Sequence, residues 1–301
     1  MPSDSAAVRV PASTSNLGPG FDCLGLALQL YNTVTLTRAG ETRTHQGMIE
    51  QTASAFFQRA TGGKVTPFPF AVRIEGDIPI SRGLGSSVTV RLGVLLGLAE
   101  LVADIFPITR EQVLALLIEL EGHPDNAVPS ALGGLAVCAP AGADPADGFV
   151  HTRVQVGDEI SFVTLVPELK LSTEVARGLL PRQVPFRHAV ENAQRAARIA
   201  ASFALRDYES LRGMFVDHVH QPYRRTLIPG FEGILSAACE AGALGSFLSG
   251  AGSCLMAPSL QRTDEIAAAM LAEAKKHDLP ARILILKADN EGAKVVPGQA
   301  R

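Results

Sequence analysis

The chain has 301 residues, 47% of them hydrophobic, and a formal net charge of -3. That length allows one large or two medium domains, burying roughly 75% of the surface of the unfolded chain. Near-neutral balance, no basic block, no tryptophan and only 5% aromatics exclude a nucleic-acid surface built on phosphate contacts or base stacking.

Strands are predicted over residues 7–12 and 27–37, the second with Val34 and Leu36 alternating among threonines. Between them lies Ser13-Thr14-Ser15-Asn16-Leu17-Gly18-Pro19-Gly20-Phe21-Asp22, small, polar and punctuated for a turn. A helix is predicted over 48–60, then a strand over 67–77. It leads into Pro79-Ile80-Ser81-Arg82-Gly83-Leu84-Gly85-Ser86-Ser87, ahead of an apolar helix over 88–102. Thr109 and Gln112 form a capping box for a helix ending near Glu121. Gly122-His123-Pro124 stops it, and Asp125 is placed to cap the next turn. Gly133-Gly134 leads into a strand over 135–139, and a loop over 141–148 suggests a domain division into 1–150 and 151–301. The second half reads as a strand over 160–166, helices over 172–180, 188–205, 208–218 and 231–243, and a strand–glycine turn–strand over 247–256. A helix over 263–276 and a strand over 282–286 follow. Strands and helices without strict alternation predict a two-domain α+β protein.

Cys23, Cys138, Cys239 and Cys254 lack C-x-x-C spacing, which predicts buried, reduced thiols. The first seven residues are polar, with no basic stretch leading into an apolar core, and the most apolar helix carries Arg91 and Glu100. Neither a secretory leader nor a membrane span is expected, so the predicted location is cytoplasmic.

The loop before the apolar helix has the makings of an anion site. Unpaired N–H groups and the helix dipole favour negative charge there, and Gly83 and Gly85 let a phosphate approach the backbone. Ser86 and Ser87 have three alternatives: helix cap, phosphate contact or Mg²⁺ ligand. It is neither a Walker A loop nor a full dinucleotide fingerprint. Other segments place polar residues in apolar surroundings. Asn16 and Asp22 suit an alcohol and an ammonium, or simply a turn. Glu121, His123, Asp125 and Asn126 lie within six residues at a helix end, where Glu121 suits Mg²⁺, or they make a helix end and a cap. Thr173 and Arg177, four apart, share a helix face and suit an anion clamp. Arg224 and Arg225 sit on a proline-fixed turn, and one of them suffices to grip an anion. Ser249-Gly250-Ala251-Gly252-Ser253 presents backbone N–H groups or makes a packing turn.

Taken in order, these segments resemble the signature set of the GHMP kinases, the galacto-, homoserine, mevalonate and phosphomevalonate kinases, and most of all the homoserine kinase family. The run from Pro11 to Gly25, the loop from Pro79 to Ser87, Glu119 to Asn126, Ser172 to Pro181 and Pro222 to Phe231 carry the resemblance. It implies a ribosomal S5 domain 2-like N-terminal domain and a ferredoxin-like C-terminal domain with ATP and L-homoserine between them. The implied reaction is phosphorylation of the homoserine side-chain hydroxyl. By the same resemblance, Pro79 to Ser87 with Val88 and Thr89 wrap the ATP phosphates, and Ser86 or Ser87 with Glu121 holds Mg²⁺. Asn16 meets the hydroxyl end and Asp22 the ammonium. Arg177 and Arg224 hold the carboxylate, helped by Thr173 and His123. Asn16 and Asn126 are expected to orient the hydroxyl. Asp125 is structural or assisting, against the rival of a general base. Family habit implies a homodimer, with no nucleic-acid or membrane partner. The rivals are a GHMP kinase for another small alcohol and a non-catalytic sensor on the same fold. The sequence departs from the pattern at Ser249 to Ser253, at Val88, and at Arg91 inside the helix.

Overall fold

The structure, a computed structural model, describes residues 4–39, 47–144 and 147–296. The reading of the first seven residues therefore falls partly, at 1–3, outside the described residues. β1 (Ser5–Ser15) and β2 (Leu24–Arg38) pair antiparallel, with a register shift between Pro11 and Ala12. Pro11 has no N–H to donate, and a shift there spares the ladder a missing bond. α1 (Met48–Ala55) runs into a π-helical turn at Phe56–Ala60, and β3 (Phe70–Gly76) pairs with the outer half of β2.

α2 (Ser86–Val102) is apolar almost all round because it is enclosed, with residues such as Leu92, Leu95, Leu98 and Leu101 buried. Gly93 and Gly97 let it lie close on β2, since a Cβ on either would stand 2.4 Å and 2.8 Å from the Val34 and Leu36 side chains. α3 (Arg110–Glu121) starts with both bonds of the Thr109–Gln112 capping box and ends at left-handed Gly122. α4 (Pro124–Leu132), β4 (Leu135–Pro140) and β5 (Phe149–Val154) follow.

The chain then changes sheet. β6 (Ser161–Pro167) is followed by α5 (Thr173–Gly178), α6 (Phe186–Leu205), α7 (Gln221–Arg224) and α8 (Phe231–Glu240). β7 (Phe247–Leu248), β8 (Leu255–Ser259), α9 (Thr263–Lys276) and β9 (Ala281–Leu286) complete this part, and β10 (Lys294–Val296) returns to β1. The six-stranded sheet has the order β10-β1-β2-β4-β5, with β3 also on β2; the four-stranded sheet has the order β7-β8-β6-β9. β6 is buried along its whole length. Its alternation sends Phe162 and Val166 into a core shared with Leu26 and Leu28 of β2 and Phe203 of α6. Val163 and Leu165 enter a second core with Ile234 of α8 and Ile266 of α9.

Several expectations are corrected. A cut at 150/151 falls inside β5; the change of sheet lies between Val154 and Ser161, and β10 belongs to the first sheet. The helix expected over 208–218 is only a 3₁₀ turn at Tyr208–Leu211, because Gly213 turns the backbone to φ 76°. The cap of α4 falls to His123, with Pro124 at the first helical position, so Asp125 is freed from capping. Cys138 and Cys254 are buried thiols, whereas Cys239 is exposed. Among the described residues no helix is long and apolar enough to cross a membrane.

Candidate active site

The ends of β1, α2, α3, α4, α5 and α7 converge on one cavity of about 590 Å³. It is lined by Asn16, Asp22, Glu121, His123, Asp125, Asn126, Thr173, Arg177 and Arg224, together with Ile80 to Gly83 and Gly85 to Val88. Three expected loop residues are elsewhere. Pro79 and Leu84 are outside the lining, and Leu84 is fully buried in the core. Thr89 is buried too, donating to the Ser86 carbonyl at 2.8 Å and accepting from Asn32 Nδ2 at 2.9 Å. The loop supplies both lining and anchor, alternating along its length.

The loop's shape is imposed from both halves. Gly83 (φ 80°) lies so close to the glycine turn after β7 that a Cβ would stand 2.1 Å from the Ser249 carbonyl oxygen. Ser249 Oγ donates to the Gly83 carbonyl at 2.6 Å, Arg82 Nε donates to the Pro167 carbonyl at 2.8 Å, and Cys254 N–H donates to the Arg82 carbonyl. Gly85, left-handed at φ 67°, is the N-cap of α2 and has no side chain to cap with. Ser86 and Ser87 are therefore not caps but the first helical residues. The opening N–H groups of α2 lie at the cavity, and among the described residues no side chain caps them, which suits an anion.

On one flank, Glu121 Oε2 accepts from Ser87 Oγ at 3.3 Å, and Oε1 lies 3.1 Å from Arg91 Nε. Burial pushes the Glu121 carboxyl up from its ordinary value, against the pull of Arg91, His123 and Ser87. Serine and carboxylate oxygens are the hard donors Mg²⁺ takes, usually one or two from protein beside nucleotide phosphates. Glu121 Oε1 is buried with no hydrogen bond, so the donor set fits such an ion.

On the other flank the charged side chains hold one another. Arg177 makes two bonds to Asp22, Nη2 to Oδ1 at 2.6 Å and Nη1 to Oδ2 at 3.1 Å. The two guanidinium groups of Arg177 and Arg224 sit 5.3 Å and 5.4 Å from the centre of the Phe21 ring. Arg224 is 2% exposed and, among the described residues, makes no ion pair with a carboxylate. It donates from Nε to the Ala176 carbonyl (3.2 Å), and from Nη1 to the Gly250 carbonyl (3.1 Å) and to His220 Nδ1 (3.2 Å). Burial, with Arg177 nearby, pushes it down to about 10. A buried cation without a direct counter-ion suits an anion. Arg225, its neighbour, faces away and pairs with Glu232.

His123 Nδ1 meets Asp125 Oδ1 at 2.7 Å. Burial alone lowers the imidazole, but the Asp125 bond and charge outweigh it, and its pKa is raised. Asp22, His123 and Asp125 offer ligand atoms within 4.8 Å of one another, a closeness the sequence did not reveal, although Asp22 and Asp125 already have partners. Asn16, left-handed at φ 71°, accepts from the Asp22 N–H with Oδ1 and donates from Nδ2 to the Gly250 carbonyl. Asn126 Oδ1 accepts from Ser13 Oγ, and its Nδ2 donates to Ser15 Oγ. Each amide thus offers the cavity one remaining N–H, less than a free side chain would.

Sequence reasoning missed the support beneath Arg224. Asp217 is buried and accepts from the Asn192 amide and the N–H groups of Val219, His220 and Gln221, fixing α7. His220 Nε2 donates to the Gly18 carbonyl at 2.8 Å, which leaves Nδ1 as the acceptor for Arg224. A local signal existed: an Asp ahead of a turn can bond the N–H groups that follow it, as Asp217 does with Val219, His220 and Gln221.

Residues 47–134 match the family model "GHMP kinases N terminal domain", and residues 189–277 match "GHMP kinases C terminal". The chain is 37% identical over 300 residues to a homoserine kinase of Clostridium beijerinckii, covering 97% of this chain and 98% of the relative. It is 37% identical over 302 residues to a homoserine kinase of Microchaete diplosiphon, covering 96% of each. The crystal structure of a homoserine kinase from Cytophaga hutchinsonii shares the fold, with a TM-score of 0.85 at 24% identity over 98% of both chains. Both halves of the chain, and the cavity that their loops build jointly, are thus accounted for by one family: the chain belongs to the homoserine kinases of the GHMP kinase superfamily.

Proposed function

We propose that the protein transfers the γ-phosphoryl group of ATP to the side-chain hydroxyl of L-homoserine, giving O-phospho-L-homoserine and ADP. The observation that carries this reading is the pairing of two unlike flanks in one cavity. One flank has the uncapped α2 N-terminus and the Ser87–Glu121 pair; the other has Asp22, Arg177 and buried Arg224.

The Asp22–Arg177 pair gives a physical reason for a zwitterionic substrate. An ammonium on Asp22 and a carboxylate between Arg177 and Arg224 replace one internal ion pair by contacts of both signs. A ligand with only one charge that opened the pair would leave one partner without its counter-charge, which a zwitterion does not. Thr173, on the same face of α5 as Arg177, and His123 complete the carboxylate's surroundings.

In the transfer, the hydroxyl oxygen forms a bond to the γ-phosphorus while the bond to the β–γ bridging oxygen breaks; ADP leaves with that electron pair, and the hydroxyl proton passes to a phosphoryl oxygen or to water. Such reactions depend on alignment and charge neutralisation. The α2 N–H groups hold phosphate oxygens, and the remaining amide hydrogens of Asn16 and Asn126 align the hydroxyl. Asp125, bonded to His123, acts as a positioning group. Ser87 with Glu121 would hold Mg²⁺, which when bound supplies positive charge against the phosphates. The homodimeric state and cytoplasmic location stay part of this reading, checked by light scattering and by fractionation.

A coupled ADP-release assay with Mg²⁺, ATP and a substrate panel tests the proposal. Turnover is expected with L-homoserine and a loss of at least about tenfold in kcat/KM without its ammonium or its carboxylate. Preference for mevalonate, or tight ATP binding with no turnover on any alcohol, contradicts it.

A further inference from the structure

Arg91 stands out on α2. It is four residues after Ser87 and so lies on the same helix face. It lines the cavity with Ser87 and Glu121. Its side chain is 15% exposed and that of Glu121 is 9% exposed, with Nε 3.1 Å from Oε1. Nη1 donates to the Leu120 carbonyl at 2.5 Å. Yet Arg91 Nε and Glu121 Oε1 are both buried without a hydrogen bond. The contact between them is charge against charge, without the directional bond that would lock it.

We propose that Arg91 is a positioning residue, a built-in cation that holds the Glu121 carboxylate in place before nucleotide arrives and makes the site take its divalent ion together with nucleotide phosphate, not as a bare ion. This rests on the reading of Ser87 and Glu121 as metal-holding donors. A buried carboxylate with no positive neighbour is costly. A guanidinium supplies that neighbour permanently, since it does not give up its proton. With Arg91 in contact, the Glu121 pair carries no net charge, so a bare divalent ion gains little and is repelled by the guanidinium. The nucleotide's phosphates bring the negative charge that makes metal binding favourable. Arg91 thereby selects the metal–nucleotide complex over the free metal.

The test uses the purified full chain, with Mn²⁺ as the probe, titrated by electron paramagnetic resonance with and without a non-hydrolysable ATP analogue. Arg91→Met is expected to bind bare Mn²⁺ at least about tenfold tighter than the parent chain, while Arg91→Lys keeps the parent's weak binding. Arg91→Met should also unfold at lower temperature in chelator, and Glu121→Gln added to it should restore that temperature. If Arg91→Met fails to fold, Arg91→Gln, which keeps a donor for the Leu120 carbonyl, gives the same comparison. Unchanged bare-ion affinity in the Arg91 variant, with metal binding lost in Glu121→Gln, overturns the proposal alone. Unchanged Mn²⁺ affinity in Glu121→Gln with nucleotide present overturns the metal reading and the proposal with it.

Discussion

Replacing Arg224 with Met probes the substrate grip, because its geometry predicts two separable losses. Its guanidinium is buried and makes three bonds within the protein. The Gly250 carbonyl keeps a second donor, Asn16 Nδ2 at 3.1 Å, so the orphans are the Ala176 carbonyl and His220 Nδ1. Each costs about 1–3 kcal/mol, partly offset by removing a cation that burial holds down near 10. A net loss of stability of about 1–3 kcal/mol is expected. Substrate binding loses a charge-assisted bond worth about 1.5–3 kcal/mol, which raises the homoserine KM roughly ten- to 150-fold. The ATP KM should change far less. Arg177→Met should raise the homoserine KM comparably with little loss of stability, since Arg177 and Asp22 lie at the rim, 37% and 34% exposed. Arg225→Met should move neither, because that side chain faces Glu232. Steady-state kinetics in both substrates and thermal unfolding of the three variants decide the matter. A collapse of ATP affinity in the Arg224 variant, or kinetics alike in the variants at 224 and 225, refutes the reasoning.

Asp217→Asn should cost about 2–4 kcal/mol and raise the homoserine KM, since the buried carboxylate holds the turn that leads into the helix carrying Arg224. Burial pushes the Asp217 carboxyl up, but His220, the backbone N–H groups and Asn192 outweigh it, so its pKa is lowered in the folded chain. The unfolded chain then binds the proton first as pH falls. The stability gap between parent and variant should be full above about pH 4 and close as pH falls through the folded value, in urea titrations. Gly83→Ala should raise the ATP KM by tenfold or more, because the new methyl meets the Ser249 carbonyl at 2.1 Å from a left-handed backbone; unchanged ATP kinetics contradict the loop's role. Asp125→Asn should keep kcat within about tenfold, as a positioning group bonded to His123. A fall of several decades with substrate binding intact would make Asp125 the base.

Much of this site was legible because its signals are local. The capping box of α3, the glycines of the phosphate loop and the four-residue spacing of Thr173 and Arg177 each follow from short-range geometry. What stayed hidden depends on distant chain segments. The Asp22–Arg177 bond joins residues 155 apart, and no periodicity reports such a pairing. Likewise β10, a three-residue strand, takes its place from β1, and its own sequence Lys-Val-Val is too short to announce it. The long helix expected over 208–218 failed because apolar spacing continues through Gly213, whose backbone conformation breaks it. Arg224 and Arg225 look alike in sequence; only burial against Phe21 and His220 separates them.

A crystal structure with a non-hydrolysable ATP analogue, Mg²⁺ and L-homoserine tests the central claim most directly. The account predicts phosphate oxygens on the first N–H groups of α2, the homoserine carboxylate on Arg177 and Arg224, and its ammonium on Asp22, with the Asp22–Arg177 pair drawn apart. Homoserine bound outside this cavity, or seated in it with that pair intact and Arg224 untouched, contradicts it.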